Sequence, residues 1–200
     1  RDVIKKRMNA KRVVCGHSFH FGRGGVYGFE ELVQLGVKYG FDVEGVAPVM
    51  HNGKKVSSII IREYIRTGNI QMANDMLAEN YFIKKVVSKG NQIGRTLNFP
   101  TINQHFEPQQ LAPRFGVYAS YTCINGTKYP SVTNIGFKPT IGGEVCPLAE
   151  THIIGYSGDL YGRIIKVIPV KFIRNEHKFA TIEQLKLRIA QDIMEVDKIL

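Results

Sequence analysis

The chain has 200 residues, of which 44% are hydrophobic and 22% charged, so it can bury a core, and wholesale disorder is excluded. Its longest aliphatic run, Ile59 to Ile61, is far shorter than the roughly 20 apolar residues that a membrane-spanning helix needs, which indicates a soluble globular protein. The net charge of +10 is spread evenly, with +5 on residues 1–77 and +5 on residues 78–200, so nucleic acid is a disfavoured partner.

Cysteine content and the first residues bear on the cellular setting. Cys15, Cys123 and Cys146 are odd in number and widely separated, which indicates neither a disulfide framework nor a thiolate zinc site. A reducing, cytoplasmic setting without a membrane partner is therefore expected. The chain starts at Arg1 with neither an initiator Met nor the apolar core of a signal peptide, and we expect a preceding segment.

Residues 1–77 alternate strand patterns with helix patterns, which is typical of an α/β unit with a parallel sheet. Gly40 stands where the C-terminal cap of a helix is expected. Apolar spacing predicts, in chain order, a strand over 11–16, a helix over 29–39, a strand over 41–49, and two helices over 57–66 and 70–77.

After residue 77 the sequence becomes rich in glycines, prolines and β-branched residues and loses its helical periodicity, and we predict a domain boundary between 77 and 78. Asn125-Gly126 separates two strand patterns, and this pair readily takes the positive φ values of a tight hairpin turn. With a further strand predicted over 163–173, the pattern favours a small closed barrel. A final helix begins after Thr181, which forms a capping-box pattern with Gln184. Its single apolar stripe is expected to pack on the barrel and comprises Ile182, Leu185, Ile189, Ile193, Val196 and Leu200.

The most informative stretch for chemistry is residues 90–103. Gly90 and Gly94 supply a loop whose amides can approach phosphates, and Arg95 adds positive charge. If Pro100 opens a strand, Thr101 and Asn103 point to one face, where their oxygens suit Mg²⁺. A polar barrel face with a glycine hairpin explains the same residues equally well.

A second candidate is Glu150, which shares a strand face with His152 by the same spacing. A carboxylate beside a bound nucleotide can accept a proton from an attacking hydroxyl. On residue type alone, a solvated strand face is the more common explanation for a lone Glu.

Most of residues 80–200 resemble the riboflavin kinase family. The resemblance is carried by four ordered motifs: 94–103 (GRTLNFPTIN), 134–140 (NIGFKPT), 150–152 (ETH) with 159–162 (DLYG), and 174–179 (RNEHKF). It implies a six-stranded β-barrel with a C-terminal helix that phosphorylates the ribityl 5′-hydroxyl of riboflavin, giving FMN, at the expense of MgATP.

The same resemblance implies roles for individual residues. Thr101 and Asn103 would hold Mg²⁺, Glu150 would be the catalytic base, and Arg174 would lie near the flavin. Residues 90–96 would cover the ATP phosphates as a flap. The ATP-binding set is then Gly90, Gly94, Arg95, Thr96, Thr101 and Asn103.

Residues 1–77 resemble the C-terminal portion of the flavin adenylyltransferase module of bifunctional bacterial FAD synthetases, which implies a Rossmann-like nucleotidyltransferase fragment. The resemblance is carried by 16–22 (GHSFHFG) and 56–62 (VSSIIIR). Ser18 stands where that module has an Asp, and Ile59 where it has a Thr. The module's His-x-Gly-His motif does not occur in this sequence.

The sequence therefore favours a riboflavin kinase with riboflavin and ATP as its small-molecule partners. Two alternatives stay open. If the full-length protein carries the His-x-Gly-His motif, it is a bifunctional riboflavin kinase/FMN adenylyltransferase. If the departures at Ser18 and Ile59 indicate wider divergence, the chain is a flavin-binding regulatory protein.

Overall fold

A computed structural model describes residues 2–90, 94, 97–139 and 145–200, with only the backbone at 138, 139 and 145. These residues form two compact units that divide between Val56 and Ser57. Among them, no helix has the length and apolar character needed to cross a membrane.

The first unit contains the predicted strand, helix and strand: β1 (Arg12–Gly16), α1 (Phe29–Tyr39) and β2 (Asp42–Val46). β1 and β2 pair in parallel, as the alternation of strand and helix predicts. Gly40 ends α1 in the left-handed conformation, with φ of 70°. The wider Rossmann-like nucleotidyltransferase fold stays a prediction, because the described part of this unit shows a single parallel pair.

Short elements complete the first unit and depart from the sequence-based prediction. They are a π-helical turn (Asp2–Arg7), a 3₁₀ turn (Arg23–Gly25) and a hairpin of β3 (Met50–His51) and β4 (Lys54–Lys55). The strand predicted through residue 49 ends at Val46, two residues before Pro48, which has no amide hydrogen to donate to a partner strand. Asn52 and Gly53 both take positive φ and turn the chain between β3 and β4.

The second unit consists of two helices, six strands and a final helix. In chain order they are α2 (Ser58–Thr67), α3 (Ile70–Met76), β5 (Ile83–Val86), β6 (Thr101–His105), β7 (Gly116–Ile124), β8 (Thr127–Pro139), β9 (Val145–Ile153), β10 (Ile164–Arg174) and α4 (Ile182–Ile199). The predicted hairpin is confirmed, with Asn125 and Gly126 at φ of 49° and 86°.

The six strands form a nearly closed antiparallel barrel in the order β5-β10-β7-β8-β9-β6. The two edge strands approach each other through a bridge between Ser88 and Asn103. Gln104 strengthens this seam, because its Nε2 donates to the carbonyl oxygens of Lys85 at 2.9 Å and Ile165 at 2.8 Å. The predicted six-stranded barrel is thus confirmed.

Helices α2 and α3 pack with the barrel. Ile65, Ile70 and Ala73 are buried in the same apolar core as Ile83 and Tyr118. The boundary between the two compact units, at Val56/Ser57, therefore lies upstream of the boundary that the change in composition predicts at 77/78. That boundary remains a prediction about where the barrel module begins.

Helix α4 begins as predicted, since Thr181 Oγ1 accepts a hydrogen bond from the Gln184 amide at 3.2 Å. Val196 is buried against Val117, Ala119 and Val132 on the outer face of the barrel. The predicted apolar stripe is wrong at Ile182, which is 59% exposed, because the first helical residue precedes the part of α4 that contacts the strands.

The barrel interior carries a row of buried hydroxyl groups between its aliphatic layers. Ser120, Thr133 and Thr151 are linked in turn, with oxygen–oxygen distances of 2.7 Å and 3.0 Å. Thr122 and Ser131 form a parallel pair at 2.7 Å. Because these groups are buried, each hydrogen bond requires the strands to keep the register in which the oxygens meet.

Replacing Thr133 by valine is expected to lower the free energy of unfolding by about 1 to 3 kcal/mol, because the shape is kept while Thr151 loses its hydroxyl partner. Urea denaturation of the purified chain measures the change. The matched control is Thr127→Val at the exposed start of β8, where a change of at most about 0.5 kcal/mol is expected. Equal effects of the two substitutions would contradict a stabilising role for the hydroxyl row.

Candidate active site

Two cavities adjoin strand β6, and Thr101 and Asn103 line both of them. The first, cavity 1, has a volume of about 290 Å³ and lies between the outer face of the barrel, the segment 175–181 and α4. The second, cavity 2, has a volume of about 660 Å³ and is lined by β6, the end of β9 and the segment 156–161. The strand that carries the predicted metal ligands therefore forms a shared wall.

Strand register places five residues, four of them from the motifs singled out above, in one row across the outer face of the barrel. Asn103 pairs with Glu150, Glu150 with Asn134, Asn134 with Val117, and Val117 with Arg174. Each of the four motifs that carry the family resemblance contributes one residue to this row. Side chains in directly opposed positions of antiparallel strands have Cβ atoms about 5 Å apart, so Glu150 lies between two carboxamides.

Asn103 is the buried polar member of this row that lines both cavities. Its side chain is 5% exposed, and its Oδ1 has no hydrogen-bond partner among the described residues. Its carbonyl oxygen accepts from the Ser88 amide at 2.9 Å, which fixes its backbone. A buried acceptor without a partner costs free energy unless a ligand, ion or water satisfies it, so Asn103 Oδ1 is suited to bind one.

Gly90 lies directly against the Asn103 carboxamide. A Cβ atom built on Gly90 would be 2.7 Å from Asn103 Nδ2, which is closer than real Cβ contacts. A side chain at position 90 would therefore displace the Asn103 amide. The structure thus gives Gly90 a role in positioning Asn103, in addition to any contact with phosphates.

The remaining loop residues are described only in part. Gly94 lines cavity 1, and its carbonyl oxygen accepts from the Phe99 amide at 2.8 Å. A Cβ on Gly94 would collide with the Phe99 carbonyl oxygen. Arg95 and Thr96, which the sequence analysis assigns to ATP binding, lie outside the described residues.

Glu150 lies in the middle of β9, is half-buried and lines cavity 1. Its neighbour on the same face, His152, also lines this cavity and pairs with Thr101 of β6. The structure therefore brings Thr101, Asn103 and Glu150 together. The spacing predicts which residues of each strand share a face, and the pairing of β6 with β9 makes the two strands neighbours.

A second carboxylate enters cavity 1 from the segment after β10. Glu176 Oε1 accepts a hydrogen bond from Asn134 Nδ2 at 3.0 Å. A Cβ on Gly136 would overlap this carboxylate, so the glycine of the 134–140 motif makes room for it. Asn134 therefore lies between the Glu150 and Glu176 positions.

Arg174 lines cavity 1, but its guanidinium is engaged within the protein. Nε and Nη2 donate to the two carboxylate oxygens of Asp192 at 3.0 Å and 2.6 Å, and Nη1 donates to the Asn175 carbonyl oxygen. Asp192 is 1% exposed and also accepts from Arg188 Nε at 3.0 Å. This pair ties α4 to β10 and so holds a wall of cavity 1, while contact between Arg174 and a flavin stays a prediction.

Several residues line cavity 1 in addition to those predicted individually for the site. They are Asn134, Glu176, His177, Phe179, Leu185, Ile189 and Asp192. The 134–140 and 174–179 motifs were visible signals for Asn134 and Glu176. The helix residues carried only an amphipathic pattern, which indicates packing and does not indicate a cavity.

The donor set of the described residues limits the kind of metal site. No group of three or more His, Cys, Asp or Glu side chains among them could hold a metal ion. Thr101 and Asn103 offer neutral oxygens, and Mg²⁺ commonly takes few protein ligands and completes its shell with water and substrate phosphates.

Comparison with known protein families gives two matches. The riboflavin kinase family model matches residues 77–200, and the FAD synthetase family model matches residues 1–60. The chain therefore belongs to the riboflavin kinase family.

Curated relatives extend the match to nearly the whole chain. The bifunctional riboflavin kinase/FMN adenylyltransferase of Escherichia coli K12 is 36% identical over 192 residues, covering 96% of this chain and 61% of the relative. The protein of the same name from Bacillus subtilis is 34% identical, covering 94% of this chain and 60% of the relative. The chain thus spans about three fifths of the length of these relatives.

A solved structure from Streptococcus pneumoniae, described as a macrolide-efflux protein, is also similar. It is 31% identical with a TM-score of 0.79, and the match covers 94% of this chain and 60% of that one. The likeness supports the same fold for most of the chain.

Replacing Asp192 by alanine is expected to lower the free energy of unfolding by about 3 kcal/mol, because Arg174 and Arg188 lose a buried partner. Chemical denaturation measures this change. Asp197→Ala on the exposed side of α4 is the control, with at most about 0.5 kcal/mol expected. A loss for Asp192→Ala no larger than that of the control would show that the ion pair does not hold the helix.

Proposed function

We propose that this chain is an ATP-dependent riboflavin kinase that transfers the γ-phosphate of ATP to the ribityl 5′-hydroxyl of riboflavin and releases FMN. The observation that carries the proposal is that Asn103, which lines both cavities, is paired with Glu150, which lines cavity 1. A phosphoryl transfer needs a nucleotide on one side and a hydroxyl on the other, with a base and a charge-stabilising group where they meet. Membership of the riboflavin kinase family supplies the substrates.

Cavity 1 suits the flavin. Its walls include an apolar surface, and its polar groups come from the strand face, the loop after β10 and Asp192 of α4. A flat ring system can bury its faces against such walls while its polar edge meets a few fixed hydrogen-bonding groups. The apolar lining consists of Leu97, Phe99, Val117, Val132, Phe179, Leu185 and Ile189.

Cavity 2 suits ATP. It is the larger space, and it has the carboxylate of Asp159, the carboxamide of Asn98 and the rings of Tyr156 and Tyr161 in its lining. Aromatic rings can stack on a nucleotide base, while polar side chains can bind its edge. The phosphates would then extend toward Thr101 and Asn103, which both cavities share.

The oxygens of Thr101 and Asn103 fit Mg²⁺, and the supporting observation is that the buried Oδ1 of Asn103 has no hydrogen-bond partner within the described part of the chain. When bound, Mg²⁺ would neutralise phosphate charge that develops during transfer. Asn103 is held for this role by Ser88 through its backbone and by Gly90 through close contact with its amide.

Glu150 is proposed as the base. Its carboxylate orients the ribityl 5′-hydroxyl and accepts its proton as the oxygen attacks the γ-phosphorus in line. The new oxygen–phosphorus bond forms while the bond from the γ-phosphorus to the bridging oxygen breaks, and ADP leaves with that electron pair. Asn134 lies opposite Glu150 on β8.

The direct test incubates the 200-residue chain with riboflavin, ATP and Mg²⁺ and separates the flavins by chromatography. Formation of FMN that requires both ATP and Mg²⁺ is the expected result. Retention of riboflavin without turnover would contradict the kinase proposal and favour a flavin-binding protein.

Replacing Glu150 by glutamine is expected to lower kcat by about 100-fold or more, because the amide cannot accept the proton. The KM for MgATP should stay within about twofold, since Glu150 lies on the flavin side of the shared wall. Steady-state kinetics measures both, with Glu195→Gln on the exposed face of α4 as control. An equal loss of turnover and of ATP binding would remove Glu150 from the base role.

Substitutions at Gly90, Thr101 and Asn103 test the proposed Mg²⁺ site. Asn103→Ala and Thr101→Ala remove proposed ligand oxygens, and Gly90→Ala displaces the Asn103 amide. Each is expected to raise the Mg²⁺ concentration needed for half-maximal activity by about tenfold or more. Gly16→Ala is the control, because a Cβ there meets no atom within 4 Å. Unchanged Mg²⁺ dependence in all three variants would place the metal elsewhere.

A second candidate function, FMN adenylyltransferase, is favoured by the FAD synthetase match over residues 1–60 and by the names of the curated relatives. In this chain Ser18 accepts a hydrogen bond from Lys55 Nζ at 3.0 Å, so the position where that module has an Asp still meets a positive charge. The same chromatography tests it, because adenylylation would add an FAD peak to the FMN peak. FMN alone would confine the activity of this chain to the kinase.

A further inference from the structure

His152 is a polar side chain in cavity 1 that the proposed mechanism does not use. It lies on the outer face of β9, where register pairs it with Thr101 on one side and Val132 on the other. Glu150 is the next residue on the same face of this strand. Two residues along a strand span roughly 7 Å, a distance that a short polyol chain can bridge.

The two ring nitrogens of His152 have different surroundings. Nδ1 lies 2.9 Å from the carbonyl oxygen of Pro100. A carbonyl oxygen can only accept, so Nδ1 carries the proton, and Nε2 of the neutral ring is an acceptor. Phe99 packs edge-to-face on the imidazole with ring centroids 5.5 Å apart, which restrains its rotation.

We infer that His152 Nε2 accepts a hydrogen bond from a secondary hydroxyl of the ribityl chain, and that this contact selects a polyol side chain. The inference rests on the proposed function. No donor to Nε2 is found among the described residues, so in cavity 1 this acceptor is available to a ligand. The primary hydroxyl meets Glu150, and a secondary hydroxyl further along the same chain meets His152.

The two nitrogens allow a binding role to be separated from a structural one. His152→Asn keeps an amide donor near the Nδ1 position and can bond to Pro100, but it removes the acceptor at Nε2. His152→Gln reaches the Nε2 position with an amide oxygen but loses the bond to Pro100. His105→Asn is the matched control, since His105 is exposed at the end of β6 and lines neither cavity.

The experiment measures kcat/KM for riboflavin and for analogues that lack one secondary ribityl hydroxyl but keep the 5′-hydroxyl. The wild-type chain is expected to lose about tenfold in kcat/KM on one of these analogues. His152→Asn should lose a similar factor on riboflavin and nothing further on that analogue, with an unchanged KM for MgATP. His152→Gln should stay within about threefold of the wild type on riboflavin.

Three results would overturn the inference. The first is full activity of His152→Asn together with loss in His152→Gln, which would assign the histidine to anchoring Pro100. The second is a further loss of kcat/KM in His152→Asn on every analogue. The third is a raised KM for MgATP in both His152→Asn and His152→Gln. A wild-type chain that forms no FMN would overturn the proposed function as well, whereas FMN formation with any of these three results would overturn only the role of His152.

Discussion

The candidate site depends on strand register. Asn103, Glu150 and Asn134 come from three different strands, and they meet only because β6, β9 and β8 pair without a slip. A shift of one residue in β9 would turn Glu150 into the barrel interior and bring Thr151 to the outer face. The buried hydroxyls of Thr133 and Thr151 oppose such a shift, because their hydrogen bond exists only in the observed pairing. The stability of the core and the geometry of the site are therefore linked through the same strands.

Cavity 1 has a second requirement, which is that α4 stays docked on the barrel. Apolar contacts of Val196 with β7 and β8 supply part of the attachment. The charged part comes from Asp192, which is buried between Arg174 and Arg188. Arg174 occupies the end of the same row that contains Glu150, so the residue that resembles a ligand-binding arginine serves here to fix a wall of the cavity.

Local sequence signals predicted turns and helix ends correctly where the backbone conformation depends on one or two residues. Asn125-Gly126 predicted the hairpin because both residues accept positive φ, and Gly40 predicted the end of α1 for the same reason. The β3–β4 hairpin was missed, although Asn52-Gly53 is an identical dipeptide, because its flanking strands are too short to show alternation. Ile182 was wrongly predicted to pack on the barrel, because the apolar periodicity of α4 begins before the part of the helix that contacts the strands.

The sequence by itself determined the strand–helix–strand order of the first unit, the Asn125-Gly126 hairpin and the final helix. It also determined the same-face spacing of Thr101 with Asn103 and of Glu150 with His152, and the motifs that resemble riboflavin kinases. These depend on neighbours in the chain and on strand periodicity. Only the tertiary structure decided that Asn134 and Glu176 join the site, that Gly90 supports Asn103, and that Arg174 is bound by Asp192. These contacts join residues distant in the chain, and their geometry follows from barrel closure and helix docking, which no local pattern specifies.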